Sequence, residues 1–301
     1  MLAERAFEPD FLAKLDRLII GIRRARTARH GQRTAGRIQG VGLEVENFRD
    51  YTEGDDFRFL DWNAAARLDE LYVKMYRTER EVETTILVDA SASMGTYSAD
   101  DKLGLALAIA SSLAYVAMAN SDAVRIATFA ARPPTIELRA TEFRRRRESY
   151  PGLRPFVLGT KSAGKTAMPG AVEKLLLGRR QAGMVIVVSD FMVNAGEYED
   201  ALSRLIAARH EVKVVQVLGE RESSGSWPPG LYKLRDAESG SYRDFAVSAA
   251  AVAAYRAKLE SLLGRLKDFC ADHAIKYAAA FGAGNLDQTV RREFPRLGVV
   301  R

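Results

Sequence analysis

The chain has 301 residues, 47% of them hydrophobic and 28% charged, and its formal net charge is +6 at pH 7. This length and composition are ordinary for a globular protein and allow one large domain, or one domain with an extension. A fold that depends on disulfides is excluded because Cys270 is the single cysteine, which also favours a reducing compartment.

The N-terminal part predicts one helix and then an extension. Acidic residues interrupt the first ten positions, so we expect no signal peptide and a cytoplasmic protein. Apolar residues at helical spacing predict a helix over residues 8–24, and a Gly- and Arg-rich stretch predicts a loop over 26–42. Residues 45–80 are polar and dense in charge. We expect residues 1–80 to pack on a main domain formed by residues 81–301.

Two arginine clusters carry much of the positive charge. They comprise Arg23, Arg24, Arg26, Arg29, Arg33 and Arg37, and the run Arg144, Arg145, Arg146 and Arg147. Basic clusters of this kind can bind nucleic acid or anionic lipid. The first cluster lacks the interleaved aromatic residues that base stacking requires. We therefore favour a solvated surface or a docking face for an acidic protein, and we expect no nucleic-acid binding.

From residue 82 onward, predicted strands and helices alternate. The predicted strands are 84–89, 123–129, 135–139, 184–189, 212–218 and 275–281, and the predicted helices are 102–119, 169–177, 198–209 and 247–272. The alternation predicts an α/β fold with a doubly wound, mostly parallel sheet of the Rossmann type. Segments 231–234 and 242–247 predict a hairpin at the sheet edge. The apolar helix is short for a membrane span and is predicted to pack against the sheet.

Two apolar predicted strands end in acidic residues, Asp89 and Asp190. Ligands of open parallel sheets bind beside the carboxyl ends of strands, so these positions predict a site. Asp89, Ser91 and Ser93 alternate, which in an extended turn points the three side chains to one side. Carboxylate and hydroxyl oxygens suit Mg²⁺ or Mn²⁺, and Asp190 with Thr166 would complete the shell. An open position on the cation can then take a carboxylate from a partner protein.

A purely structural interpretation stays open on spacing alone. Ser91 and Ser93 can cap the following helix, and Asp89 and Asp190 can orient backbone amides. The pattern Asp-x-Ser-x-Ser is short enough to occur by chance, so by itself it favours neither interpretation.

A resemblance favours the metal. Residues 86–95, with a threonine and an aspartate downstream, resemble the metal-ion-dependent adhesion site of von Willebrand factor A domains. The implied metal residues are Asp89, Ser91, Ser93, Thr166 and Asp190. The resemblance implies that the serines and the threonine contact the metal directly and that the aspartates act through water. Thr160 is a second candidate for the threonine, but the sequence after Thr166 leads straight into a predicted helix.

A longer segment, residues 51–67, resembles the signature of the bacterial family called domain of unknown function 58. It reads Tyr-Thr-Glu-Gly-Asp-Asp-Phe-Arg-Phe-Leu-Asp-Trp-Asn-Ala-Ala-Ala-Arg. Residues 71–74 and 234–240 resemble two further family elements, the second being Asp-x-Glu-x-Gly. Residues 219–222 depart from the Asp-Pro-x-Glu of many members. The resemblance spans residues 38–281 and implies a von Willebrand factor A-like accessory protein of MoxR-type AAA+ ATPases.

The signature itself has two interpretations. Its side chains can form a partner surface, or they can form an ion-pair network that clamps the extension to the sheet, with Trp62 in an apolar slot. The residues concerned are Asp55, Asp56, Arg58, Asp61, Trp62 and Arg67. We favour the scaffold, with an interface as its second role.

A competing motif predicts nucleotide binding. Residues 159–166 satisfy Gly-x-x-x-x-Gly-Lys-Thr, the P-loop pattern, which would make the chain a hydrolase that uses Lys165, Thr166 and Asp190. Residues 155–158 are a poor strand, however, and Pro169 falls in the helix that the motif requires. We therefore expect a non-enzymatic, metal-dependent protein-binding adaptor, with Mg²⁺ or Mn²⁺ as cofactor and a MoxR-type ATPase or its client as partner.

Overall fold

The computed structural model describes most of the chain. The described residues are 2–29, 45–68, 70–76, 82–95, 100–132, 134–178, 181–225, 227–282 and 286–299. The chain divides into a main unit, Met1–Arg26 with Val82–Arg301, and an extension unit, Thr27–Glu81. The N-terminal helix, which the sequence predicts as part of the extension, therefore belongs to the main unit.

Two helices begin the main unit and pack into its core. They are α1 (Leu2–Arg5) and α2 (Pro9–Arg29). Phe11, Leu15 and Ile19 are buried and lie four residues apart, so they share one face of the helix. The predicted helix is confirmed but continues to residue 29, and residues 30–42 of the predicted loop lie outside the described residues.

The extension unit contains a small sheet and a short helix. Its elements are β1 (Val45–Asp50), α3 (Trp62–Leu68) and β2 (Tyr72–Tyr76). The two strands pair antiparallel, and a 3-10 turn, Phe57–Phe59, lies between them in sequence. The charge-dense sequence shows no apolar periodicity that would predict these elements.

The rest of the main unit alternates strands and helices as predicted. In chain order, its elements are β3 (Glu83–Asp89), α4 (Lys102–Ala119), β4 (Ala123–Arg132), β5 (Thr135–Ala140), α5 (Arg154–Gly159), α6 (Met168–Leu177), β6 (Met184–Ser189), α7 (Ala195–Ala207), β7 (Glu211–Leu218), α8 (Glu220–Ser224), β8 (Gly230–Arg235), β9 (Tyr242–Val247), α9 (Ala249–Asp272), β10 (Lys276–Phe281) and α10 (Leu286–Leu297). The helices α5, α8 and α10 were not predicted.

Six strands form the central sheet in the order β10-β7-β6-β3-β4-β5. Neighbouring strands run parallel except for β5, which pairs antiparallel with β4 at one edge. Counted along the chain within this sheet, the order is 6-5-4-1-2-3, the doubly wound Rossmann order. The predicted α/β fold is confirmed.

The hairpin is confirmed, but its predicted place is wrong. Strands β8 and β9 pair antiparallel and form a two-stranded sheet of their own instead of extending the central sheet. Charged side chains such as Lys233 and Arg243 lie along both strands and are exposed. A position at the sheet edge between covering helices would remove such charges from water at a high cost.

Helix α4 is apolar on all sides and lies in the interior. The sheet covers one side, and apolar residues of α1, α2 and α10 cover the other. Among the described residues, α4 is the one helix apolar and long enough for a membrane span, with a mean hydropathy of 1.6, but 89% of it is buried within the protein. Helices α6, α7 and α9 cover the opposite face of the sheet, where Cys270 is buried as a free thiol.

Part of the second arginine cluster holds α2 in place. Arg147 Nη1 lies 2.9 Å from Asp16 Oδ1 of α2, and its guanidinium lies over the Tyr115 ring. The side chains of the first cluster, Arg23 to Arg37, lie outside the described part of the chain.

Candidate metal centre

The candidate site lies where the winding of the sheet changes direction. β3 and β6 are parallel neighbours, yet β3 is followed by β4 on one side and β6 by β7 on the other. The connections diverge and leave a crevice at the carboxyl ends of these two strands, which is the binding position of this fold. Asp89 ends β3 and Asp190 follows β6, and both are buried.

Asp89 organises the loop after β3. Its Oδ1 accepts the backbone N–H of Ser91 at 2.9 Å, and its Oδ2 accepts the Ser189 hydroxyl at 2.8 Å. Burial, followed by the negative charge of Asp190, raises the pKa of Asp89 to about 6. A nearby cation would offset both effects. Because both oxygens of Asp89 already accept hydrogen bonds, this residue is suited to act on a cation through its charge.

The other four predicted side chains contact one another in a row. Ser93 Oγ donates to Asp190 Oδ2 at 3.2 Å and lies 3.0 Å from Ser91 Oγ. Ser91 Oγ lies 2.9 Å from Thr166 Oγ1. Glu238, which was not predicted, continues the row with its Oε1 3.1 Å from Thr166 Oγ1. We call these five side chains the oxygen chain.

The oxygen chain has the spacing of a hard-cation site. Neighbouring ligands of an octahedral Mg²⁺ with metal–oxygen distances of about 2.1 Å lie about 3 Å apart. The contacts among the three hydroxyls and Glu238 measure 2.9 to 3.1 Å. Within the described residues, no set of three or more His, Cys, Asp or Glu side chains forms a metal site, so a site here depends on hydroxyl ligands. Mg²⁺ and Mn²⁺ fit such oxygen donors better than zinc does.

The oxygen chain also has more acceptors than protons. Its three hydroxyl groups carry one proton each, but its five members make four oxygen–oxygen contacts. With ionised carboxylates, one contact therefore brings two lone pairs together. A cation would remove this mismatch, so the residues present fit the metal that the resemblance implies.

Backbone contacts hold the two loops of the site together. Ala92 N donates to Gly164 O at 2.9 Å, and Ala163 N donates to Ala90 O at 2.9 Å. Gly164 has a φ of +78°, and a Cβ at this position would lie 2.2 Å from Ala131 O. A glycine is required here, and the resulting close approach places Thr166 opposite Ser91.

The second threonine candidate serves another purpose. Thr160 Oγ1 donates to Phe156 O at 2.8 Å and thereby closes the end of α5. The same region contradicts the P-loop alternative, since residues 155–158 lie in helix α5 and not in a strand that leads into the loop. Without that strand, the phosphate-binding context of the motif is missing. The Thr166 hydroxyl instead contacts Ser91 and Glu238.

A buried ion-pair bridge beside the oxygen chain was not predicted. Lys102 Nζ lies 2.8 Å from Asp190 Oδ2 and 2.8 Å from Glu222 Oε1. Burial acts to lower the pKa of Lys102, but the charges of Asp190 and Glu222 outweigh it and raise that pKa. One signal could have revealed the bridge. Lys102 begins α4, and helical side chains lean toward the N-terminus, here toward the carboxyl ends of the strands.

The stretch from the extension unit into α9 matches a known family. The family described as "Protein of unknown function DUF58" matches residues 47–261. The chain belongs to this family. Two relatives of this DUF58 protein are uncharacterized protein Mb1516 of Mycobacterium bovis and uncharacterized protein Rv1480 of Mycobacterium tuberculosis. Each is 31% identical to it over 234 residues, which cover 74% of this chain and 71% of the relative.

Solved structures resemble this DUF58 protein more distantly. The conserved hypothetical protein BatB from Bacteroides thetaiotaomicron is 16% identical, with a TM-score of 0.39, and the match covers 72% of this chain and 98% of BatB. The manganese-loaded Plasmodium vivax TRAP protein is 19% identical, with a TM-score of 0.31, and the match covers 46% of this chain and 58% of TRAP. These TM-scores are too low to support a fold assignment. The fold is therefore assigned from the strand order of the chain itself.

In this DUF58 protein, the acids of the signature pair with cations close by in sequence. Arg49 forms a two-pronged ion pair with Asp55, with Nη1–Oδ2 and Nη2–Oδ1 distances of 2.7 Å and 2.5 Å. The hydrogen bonds from Arg49 are the main reason that the pKa of Asp55 falls to about 2. Asp56 Oδ1 accepts the backbone N–H of Arg58 at 3.0 Å, and its carboxylate pairs with the Arg58 guanidinium.

The end of the signature is partly scaffold and partly exposed surface. Asp61 Oδ1 accepts the backbone N–H of Asn63 at 3.1 Å at the start of α3 and lies 3.5 Å from Lys74 Nζ. The predicted apolar slot for Trp62 is wrong, because this side chain is 61% exposed. Arg67 is exposed as well. A unit as small as this extension has little interior in which to bury a tryptophan.

Proposed function

We propose that this DUF58 protein is a non-enzymatic adaptor that binds a protein partner through Mg²⁺ or Mn²⁺ at the carboxyl ends of β3 and β6. The observation that carries the proposal is the row of contacts that joins Ser91, Ser93, Thr166 and Asp190. In this proposal, the three hydroxyls contact the cation, and Asp89 and Asp190 act through water. The cation would supply a Lewis-acidic position for a carboxylate.

The charges around the site support a carboxylate-bearing partner. Hydroxyl ligands are neutral, and Asp190 shares its negative charge with Lys102, whose Nζ is 2.8 Å away. A cation held in this way keeps much of its positive charge. A glutamate or aspartate of a partner would neutralise it in a crevice where water screens the attraction weakly.

The placement of the described histidines supports a binding role rather than catalysis. Among the described residues, the histidines are His210 and His273, which precede β7 and β10 at the amino ends of the strands. They therefore lie at the end of the strands opposite to Asp89 and Asp190. These two imidazoles are therefore not placed to act as a general base for a hydroxyl of the site.

The partner that we propose is a MoxR-type AAA+ ATPase or its client. Support comes from the resemblance of residues 51–67 to accessory proteins of such ATPases. In this role, the chain would act in the cytoplasm in protein remodelling or complex assembly, with Asp55, Asp56, Arg58 and Trp62 as a second contact surface.

A binding assay with the purified MoxR-type ATPase of the same organism tests the proposal. The wild-type chain should bind in Mg²⁺ and lose binding in EDTA, and Asp89→Ala should weaken binding about 10- to 100-fold. Asp200→Ala is the matched control, because Asp200 is an exposed acid on α7 that pairs with Arg204. Equal affinity of wild type and Asp89→Ala, or binding that EDTA leaves unchanged, would contradict the metal-linked mechanism.

A further inference from the structure

The tip of the β8–β9 hairpin reaches into the candidate metal centre. Glu238 Oε1 accepts the backbone N–H of Thr166 at 3.1 Å and lies 3.1 Å from Thr166 Oγ1. Thr166 Oγ1 lies 2.9 Å from Ser91 Oγ, so the Glu238 carboxylate is one contact away from the Asp-x-Ser-x-Ser loop. The hairpin thus adds a negatively charged oxygen at the end of the oxygen chain opposite to Asp190.

The hairpin tip is built to hold Glu238 in this position. Asp236 Oδ1 accepts the backbone N–H of Glu238 at 2.9 Å and that of Ser239 at 2.7 Å. Gly240 N donates to Asp236 O at 2.9 Å, and its φ of +72° lies in the left-handed region that favours glycine. The glutamate is half-buried, although Ala237 and Ser239 on either side of it are exposed. The turn therefore presents one acidic side chain inward.

Apolar packing does not explain this orientation. The two strands of the hairpin carry exposed apolar side chains, with Leu231 88% exposed and Tyr242 59% exposed. The contacts that direct Glu238 inward are the polar ones to Thr166. Without Glu238, the row has three hydroxyl protons for three contacts. The Glu238 carboxylate adds a fourth contact but no proton, which is unfavourable unless a positive charge joins the row.

We propose that Glu238 is the internal carboxylate ligand of the metal centre, which binds the cation in the free protein and yields its position to the carboxylate of a partner. This inference rests on the proposed function. It gives the Asp-x-Glu-x-Gly element of the hairpin a chemical role, because Asp236 and Gly240 form the turn and Glu238 supplies the charge. It also requires the Glu238 side chain to leave Thr166 when a partner binds.

Mn²⁺ binding to the purified full chain tests the role of Glu238. Free Mn²⁺ is measured by electron paramagnetic resonance, and the number of water molecules on bound Mn²⁺ is measured by water-proton relaxation. Glu238→Gln keeps the shape of the side chain but removes its charge, and it should weaken Mn²⁺ binding about 10- to 100-fold. The bound ion should gain about one water molecule, since a position of its octahedral shell becomes free.

Two further variants separate this inference from the proposed function. Glu260→Gln removes an exposed glutamate on α9 and should bind Mn²⁺ like the wild type. Thr166→Val removes a hydroxyl ligand and should bind weakly. The role of Glu238 is overturned if Glu238→Gln matches the wild type in affinity and water number while Thr166→Val binds weakly. The metal centre itself is overturned if the wild type binds no Mn²⁺ or if Thr166→Val binds as tightly as the wild type.

Discussion

The extension unit and the metal centre both concentrate acidic residues, but they neutralise them differently. In the extension unit, Asp55 pairs with Arg49 and Asp56 pairs with Arg58, each within six residues along the chain. At the ends of β3 and β6, the carboxylates come from distant parts of the chain, and Lys102 contacts two of them. Asp89 and Glu238 accept hydrogen bonds there from neutral donors.

This difference separates a structural acid from an acid that can serve a ligand. A carboxylate that pairs with a neighbouring arginine has its charge satisfied and contributes to local folding. A buried carboxylate beside another one, like Asp89 beside Asp190, raises the energy of the free protein until a cation arrives. Carboxylates held by neutral donors instead of by a neighbouring arginine, more than the number of acids, therefore mark the candidate metal centre.

The largest effect is expected from Lys102→Met. Its side chain is 5% exposed and that of Asp190 is 1% exposed, so the substitution leaves a buried carboxylate without its ammonium partner. We expect the free energy of unfolding to fall by about 3–5 kcal/mol. Chemical denaturation in EDTA measures this loss without interference from bound metal.

Lys14→Met is the matched control for that substitution. Lys14 also pairs with an aspartate, Asp287, with an Nζ–Oδ2 distance of 3.2 Å, but its side chain is 53% exposed. Water screens such a pair, and its loss should cost less than about 1 kcal/mol. Similar losses for both variants would contradict this expectation, because the buried Lys102 bridge would then stabilise the fold no more than an exposed ion pair does.

A smaller, pH-dependent effect is expected from Asp55→Asn in the extension unit. The pKa of Asp55 is lowered from 3.8 to about 2, mainly by hydrogen bonds from Arg49. A depressed pKa stabilises the fold above the unfolded value, and this stabilisation is lost as the pH falls toward the folded value. Wild type should therefore be more stable than Asp55→Asn at pH 6, and the difference should shrink between pH 4 and pH 2.

Tryptophan fluorescence can report on the extension unit alone. The chain has two tryptophans, so a Trp227→Phe background leaves Trp62 of α3 as the signal. A stability difference that stays constant down to pH 2 would contradict the Arg49–Asp55 ion pair as its source.

Local patterns predicted the sheet and most of the site. Strand β6 is an uninterrupted β-branched run apart from its first and last residues, and α4 is an apolar stretch of helical length, so both are recognisable without tertiary information. Asp89 and Asp190 were predicted to lie close together because the carboxyl ends of neighbouring parallel strands lie on the same side of the sheet. Thr166 followed from the helix that begins at Met168.

The remaining site residues depend on contacts that no local pattern contains. Glu238 lies 72 residues from Thr166 along the chain. Its position depends on how the β8–β9 hairpin packs, and no local sequence pattern specifies that. The hairpin has mixed apolar and charged faces, so its pattern does not specify a packing partner. Glu222 reaches Lys102 across 120 residues for the same kind of reason.

The most direct test of the metal centre is calorimetric titration of Mn²⁺ into wild type, Thr166→Val and Thr160→Val. Both threonines lie in the loop between α5 and α6, but Thr166 Oγ1 contacts Ser91 Oγ, whereas Thr160 Oγ1 donates to Phe156 O. We predict one Mn²⁺ site in wild type, retained in Thr160→Val and weakened about 10- to 100-fold in Thr166→Val. Equal affinities for the two variants, or no heat of binding in wild type, would contradict the account.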